Sequence, residues 1–311
     1  MHIETFQSMD LGELVDVWNR NLVADPISAI RLGNQVLLDP NFRDEFCLVA
    51  RENGSVIGFV LGICGDGFHF PGRLEGDRAW ILGMAVDLEY RRNRIGSRLL
   101  QELESRFRNA GKRNVWMASY PTAYIVPGVD ENAYSGGLNF LQRRGYRIAY
   151  TAFAMDSFIW PPKIPGIVLQ REEELASRRI LFCTYSSLWL SAFRRFLRSH
   201  VPWDWEYLAL KNLGRISEGT FSPEQFHLAT FEDEVVGYCQ HEGEHFGPFG
   251  VAQEFQRRGL GTVLLAHTLR SMSQQGLHNA WVLWTGEETA RLYERFGFKK
   301  TRRFAVLHKE L

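Results

Sequence analysis

Charge of one sign is missing from this chain. Its 36 basic residues are offset by 36 acidic ones over 311 positions, so no global field draws it to nucleic acid or to an anionic membrane. Any anion it binds must be held by a local site. Long apolar runs are missing too: stretches such as AWILGMAV (79 to 86) fall far short of the roughly 20 residues that span a bilayer. The opening MHIETFQSMDLGELVDVW has no basic start followed by an apolar core, so it does not read as a signal peptide, and a cytoplasmic protein is expected. Cysteine is scarce. Cys47, Cys64, Cys183 and Cys239 lie far apart without paired spacing, which suggests neither a zinc site nor a disulfide framework; free, mostly buried thiols are expected and no metal.

What is present is a repeat. At this length two domains of roughly 150 residues are the natural division. Sliding the sequence by 165 positions brings Val86, Glu89, Arg92, Gly96, Leu99, Leu100, Gly111, Asn114 and Trp116 onto Val251, Glu254, Arg257, Gly261, Leu264, Leu265, Gly276, Asn279 and Trp281. Nine identities in one ungapped stretch of 31 residues are not expected by chance. With gaps, FCLVARENGSVIGFV (46 to 60) also matches FHLATFEDEVVGYC (226 to 239), and FLQRRGY (140 to 146) matches LYERFGF (292 to 298). The repeat therefore covers whole domains and is no short solenoid unit.

Each copy shows a short turn between two alternating apolar segments, the pattern of a β-hairpin, then an apolar strand ending at Val86 or Val251. A basic, glycine-containing turn leads into a helix with apolar residues at Leu99, Leu103, Phe107 or at Leu265, Leu269, Met272. Gly111 and Gly276 stand where such helices stop, since glycine takes the left-handed cap at no steric cost. Strands resume at NVWMAS and NAWVLW, and each copy closes with a short helix and a final strand, about 147 to 156 and 301 to 309. The order β-β-β-α-β-α-β predicts two α/β (α+β) domains with mixed sheets. The expected division is residues 1–159, a proline-rich linker over 160–166 (WPPKIPG), and 167–311, with an aromatic and basic helical opening to the second domain.

In the second copy, Gln256-Arg257-Arg258-Gly259-Leu260-Gly261-Thr262 runs straight from a strand into a helix. Consecutive backbone N–H groups then point at one spot beside the positive end of the helix dipole, a place for a phosphate or diphosphate. Glycines let the anion approach closely, and Arg257 and Arg258 add charge. Taken alone, the turn also reads as a purely structural strand-to-helix connection. There is no GxGxxG, because Leu264 stands where the third glycine would be, and no GK[ST] follows.

Gln256, Gly259 and Gly261 match the Q/R-x-x-G-x-G/A turn of the GNAT superfamily of acyl-CoA-dependent N-acetyltransferases, and Tyr293 stands four residues ahead of Gly297-Phe298 as that family's tyrosine does. The chain resembles this family strongly over 221–311 and more weakly over 46–156, in a tandem arrangement similar to mycothiol synthase-like double GNAT proteins. The resemblance implies largely antiparallel sheets with helices on both faces. It also implies a splayed strand pair that admits the pantetheine arm of acetyl-CoA. It gives the Val251 backbone N–H the oxyanion of acyl transfer. Tyr293 becomes the general acid for the departing thiolate, a role suited to a phenol protonated at neutral pH. His245, six residues before Val251, stands roughly where some members carry a base, with Glu242, Glu244, Glu287 and Glu288 as rivals. Without the resemblance, Tyr293 is a half-buried aromatic and His245 a surface histidine at a hairpin end.

The first copy departs from the pattern. Val86, Arg91, Arg92, Arg94, Gly96 and Ser97 occupy the matching cofactor positions, but Arg94 replaces the first glycine, Leu141 replaces the tyrosine, and Trp80 holds the base position. Loss of catalysis with retention of fold is expected, and CoA contact through Arg94 remains open. About 13 extra residues in this copy carry Tyr124 and Tyr134, which offer a substitute phenol, although loops of Gly, Pro and Asp are usually connections only. The expected activity is acetyl transfer from acetyl-CoA to a small-molecule or peptide amine in the second domain. A non-catalytic CoA sensor is the alternative, one that would have no need of Tyr293. The arginines cluster at two equivalent turns and form no stripe, which argues against nucleic acid. Trp203, Asp204 and Trp205 suit a cationic or aromatic amine, or else pack the domains together.

Overall fold

The structure, a computed structural model, describes residues 1–65, 76–122 and 125–311. It divides into two compact units: Met1–Ala152 together with Arg303–Leu311, and Phe153–Arg302. This differs from the division expected at 160–166, and the strands show why.

In the first unit, β1 (His2–Thr5), β2 (Cys47–Glu52), β3 (Ser55–Ile63) and β4 (Arg78–Val86) run antiparallel in that order, and β5 (Asn114–Met117) joins β4 in parallel. The helices are α1 (Leu11–Asn21), α2 (Ala29–Leu32), α3 (Ile95–Asn109) and α4 (Ser135–Gln142). A two-residue strand β6 (Val129–Asp130) follows α3 and β5, and β7 (Arg147–Phe158) leaves the unit through its second half. The β2–β3 turn places Asn53 (φ 52°) and Gly54 (φ 85°) in the left-handed region, which matches the twist of a tight hairpin. Leu99, Leu103 and Phe107 of α3 are fully buried against the sheet, each contributing about 1.5–3 kcal/mol of transfer free energy.

In the second unit, α5 (Ile167–Ser177) precedes β8 (Ile180–Thr184), α6 (Leu190–His200) and α7 (Trp203–Ser217). Then β9 (Phe226–Phe231), β10 (Glu234–Glu242) and β11 (His245–Val251) extend an antiparallel sheet, followed by α8 (Leu260–Gln274), β12 (Asn279–Thr285) and α9 (Glu287–Glu294). Leu265, Leu269 and Met272 of α8 are buried as its periodicity predicts. Gly111 (φ 76°) and Gly276 (φ 83°) follow α3 and α8 in left-handed conformation, as their positions imply.

Each sheet is closed by a strand other than the expected one. β12 pairs antiparallel with the second half of β7, from Asn279 opposite Phe158 to Thr285 opposite Phe153. β5 pairs with the last strand of the chain, β13 (Lys299–Glu310), from Leu307 opposite Met117 to Glu310 opposite Asn114. The strand sequences are correctly located; their partners are exchanged. Phe304, Ala305, Val306 and Leu307 are fully buried there, and Lys309 reaches the buried Glu104 at 2.8 Å.

Candidate active site

The basic turn has the same backbone in both units. Arg257 (φ 59°) and Gly259 (φ 86°) match Arg92 (φ 69°) and Arg94 (φ 61°), so Arg94 holds a left-handed conformation at a cost of about 1–2 kcal/mol. The turn therefore survives in the first unit. What changes is that a long side chain stands on it. The first motif residue braces the strand: Gln256 Nε2 donates to the Val251 carbonyl at 3.0 Å, and Arg91 Nε donates to the Val86 carbonyl at 2.9 Å. These side chains hold the turn to the strand end, a duty the sequence reading did not give them.

The next backbone N–H fixes the direction of the preceding one. Ala252 N–H donates to Val236 O at 2.9 Å, so alternation along β11 turns Val251 N–H away from β10, toward the β12 side. Asp87 N–H donates to Ile57 O at 2.9 Å and orients Val86 likewise. In the second unit the parallel β11–β12 contact consists of one register pair, His245 opposite Trp281, beyond which β11 runs on to Val251 and β12 to Thr285 without cross-strand register. β4 and β5 keep four pairs, from Arg78 opposite Asn114 to Ile81 opposite Met117, before β5 ends.

Tyr293 comes to this open stretch. It is 4% exposed on α9, with its ring edge-on to Phe246 at 5.0 Å and tilted toward Phe249 at 6.4 Å, both residues of β11. Phe249 also packs against the turn: a side chain at Gly261 would place its Cβ 3.1 Å from Phe249 Cζ and 3.7 Å from Val251 Cγ2. Val251, Gly261, Phe249 and Tyr293 thus share one neighbourhood.

Beside it, Ile167, Arg171, Arg257, Gly259, Thr262 and Arg295 line a cavity of about 280 Å³. Three arginines beside a helix N-terminus give this cavity the charge that suits an anion. Arg171 and Arg295 escaped the sequence reading, the first because α5 lies outside the repeat, the second because the motif ends at Tyr293. Arg258, expected to add charge here, lies over the Phe255 ring at 5.7 Å and does not line the cavity.

His245 begins β11, next to the Phe246 on which Tyr293 packs. It lies six residues before Val251, and the pairing with β10 shifts register between Cys239 and His241 along that stretch. Its ring stacks on Trp281 at 4.3 Å, and burial pushes its pKa down to about 4. Among its rivals, Glu242 pairs with Arg215 at 2.9 Å, Glu244 accepts from Asn279 at 3.2 Å, and Glu287 holds Lys300 at 2.8 Å. Closer to Val251, a side chain at Gly250 would meet Val201 at 3.0 Å and Trp205 at 3.6 Å. Asp204, in the first turn of α7, has its carboxyl pKa raised by burial. The neighbouring aromatics Phe193 and Phe196 pack on Tyr238 within the second unit's own core, at 5.3 and 5.8 Å.

The first unit offers no substitute phenol at Tyr134, whose hydroxyl accepts from Ala24 N–H at 3.0 Å and donates to Asp25 at 2.9 Å. Tyr124 lies outside the described residues. Leu141 and Trp80 are buried, and Ser97, the counterpart of Thr262, is held by Arg144.

A family model described as "Acetyltransferase (GNAT) family" matches residues 16–123, and one described as "Acetyltransferase (GNAT) domain" matches 222–300, together well over half of the chain. The chain belongs to the GNAT acetyltransferases. It is a tandem GNAT protein, an acetyl-CoA-dependent acetyltransferase. Its fold is similar to a GCN5-related glucosamine N-acetyltransferase region of a fungal multi-domain β-N-acetylglucosaminidase, with a TM-score of 0.79 at 19% identity over 99% of this chain; this chain spans 38% of that one. A GCN5-related N-acetyltransferase from Sphaerobacter thermophilus matches with a TM-score of 0.70 at 16% identity, covering 99% of this chain and 95% of that one. A tandem GNAT protein from the clavulanic acid biosynthesis pathway matches at 0.60 and 15% identity, over 99% and 98%. A sequence search of curated proteins returns no match. Among the described residues, no helix is long and apolar enough to cross a membrane, and no group of three or more His, Cys, Asp or Glu is placed to hold a metal.

Proposed function

We propose that the second unit of this tandem GNAT protein transfers the acetyl group of acetyl-CoA directly to a primary amine of a small molecule or peptide, while the first unit keeps the fold without the catalysis. The observation that carries this reading is the joint placement of Tyr293 and the outward-turned Val251 N–H at the open stretch of β11. The amine lone pair attacks the thioester carbonyl carbon, and Val251 N–H donates to the oxygen on which charge develops. The C–S bond then breaks and Tyr293 gives its phenolic proton to the thiolate. The proton lost by the amine leaves on the acceptor side, by water or by Asp204, whose buried carboxyl has an increased proton affinity. In the first unit Leu141 supplies no proton and Arg94 stands where the second unit has Gly259.

The diphosphate of CoA lies against the N-terminus of α8 in this reading. Gly261→Glu adds a carboxylate there and forces Phe249 aside, since even a Cβ comes within 3.1 Å of it. Calorimetry with acetyl-CoA is expected to show binding to the second unit abolished; unchanged binding rejects the assignment. The amine is sought with a panel that includes glucosamine, a peptide N-terminus and a polyamine, read by CoA thiol release. Glucosamine earns its place because the fungal neighbour is described as a glucosamine N-acetyltransferase region.

A further inference from the structure

We infer that Arg171, on α5 outside the repeated part of the second unit, reads the 3′-phosphate of CoA, so that this unit distinguishes acetyl-CoA from its dephospho form. This rests on the reading that CoA binds at the second turn. The cavity beside that turn collects guanidinium groups from three separate elements: Arg171 from α5, Arg257 from the turn, and Arg295 from the residue after α9. Among the described residues, neither Arg257 nor Arg295 has an ion-pair partner, and Arg171 has only the half-exposed Glu174 at 2.7 Å, one helical turn along. Cations converge in this way on an anion, and their number sets how much anion.

Three guanidinium charges plus about half a charge from the helix terminus, less the one carboxylate of Glu174, come to about two and a half, more than a diphosphate with two negative charges requires. A phosphomonoester adds about 1.5 to 2 more negative charges at neutral pH, enough to take up the remainder and to compete with Glu174 for Arg171. CoA carries both groups. The backbone N–H groups and Arg257 belong to the turn itself and serve the diphosphate, which leaves the arginines brought in by other elements for the second phosphate. Gly259 is shaped for this. Its missing Cβ lies 3.0 Å from Arg171 Cδ, so any side chain at 259 displaces the Arg171 stem. In the first unit that position is Arg94, and an equivalent approach over the turn is blocked by its own side chain.

The test is calorimetry on the full chain with acetyl-CoA and with acetyl-dephospho-CoA, for the wild type, Arg171→Ala and Arg171→Lys. Arg171 is 44% exposed on the helix surface, so neither substitution opens the core. The wild type is expected to prefer acetyl-CoA by about tenfold or more, the scale of a charge-assisted hydrogen bond to phosphate. Arg171→Ala should reduce the preference by weakening acetyl-CoA alone, with Arg295 keeping the remainder, and Arg171→Lys should retain more of it. Equal wild-type affinity for the two ligands, or equal weakening of both by Arg171→Ala, overturns the assignment to the 3′-phosphate while leaving CoA binding standing. Binding of neither ligand to the wild type would instead refute the CoA reading itself.

Discussion

Single residues carry both the site's legibility and its surprises. Gln256, Gly259, Gly261 and Tyr293 were readable because they form a motif whose spacing implies strand, turn and helix. Gly259 takes a left-handed φ and is needed for its backbone; Gly261 is helical and is needed because Phe249 rests on it. Arg171 was invisible, since no motif reaches α5. The buried histidines add a testable pH dependence. His227 is 6% exposed, and burial beside His241 and His267 pushes its pKa down to about 3; His245 is pushed down to about 4. In the folded chain both stay neutral where the unfolded chain, with values near 6.5, takes up protons. Their contribution to stability is therefore fully present above about pH 7 and is lost as pH drops from about 6.5 toward 4 for His245 and toward 3 for His227, with His227 costing up to about 2 kcal/mol at pH 5. Urea midpoints at pH 7 and pH 5 should converge in His227→Gln relative to wild type; an undiminished drop in the variant would show that His227 does not carry it.

At the level of elements, local pattern located the seven elements of each repeat and left their pairing open, while β1, α1, α2, β6 and β8, outside the repeated pattern, went unread. The faces of α3 and α8, the Asn53-Gly54 turn and the caps at Gly111 and Gly276 follow from periodicity and from glycine's conformational freedom. The closing strands do not, because two repeats present two equivalent sheet edges, and alternation along a strand says which face is buried but not which edge it joins. The exchange makes a sharp prediction. Deleting Arg303–Leu311 removes the fully buried Phe304, Val306 and Leu307 and the Lys309–Glu104 pair from the first unit. Loss of three such side chains amounts to about 5–8 kcal/mol, comparable with the whole stability of a domain. The truncated chain should lose the cooperative thermal transition of its first unit. A fragment of residues 1–159 should likewise fail to fold, having no strand to cover β5; a stable, cooperatively melting fragment would contradict the observed pairing.

For the molecule as a whole, one fold occurs twice, and the motif side chains of the family stand together in the second unit alone. Both units preserve the braced strand end, the left-handed turn and the outward N–H, so the backbone alone would serve either. They differ in what stands on that backbone: Gly259 and Tyr293 in one, Arg94 and Leu141 in the other. The central claim, that acetyl transfer takes place in the second unit with Tyr293 as its acid, is tested most directly by amine-dependent CoA release from Tyr293→Phe under conditions where chemistry limits turnover. The variant keeps the ring and its packing on Phe246 and Phe249 and loses one O–H. A general acid contributes about 10² to 10⁴ in rate, and a thiolate is a tolerable leaving group, so the account predicts kcat lower by about 10² with acetyl-CoA affinity unchanged. A Tyr293→Phe protein with kcat within about twofold of wild type would contradict it.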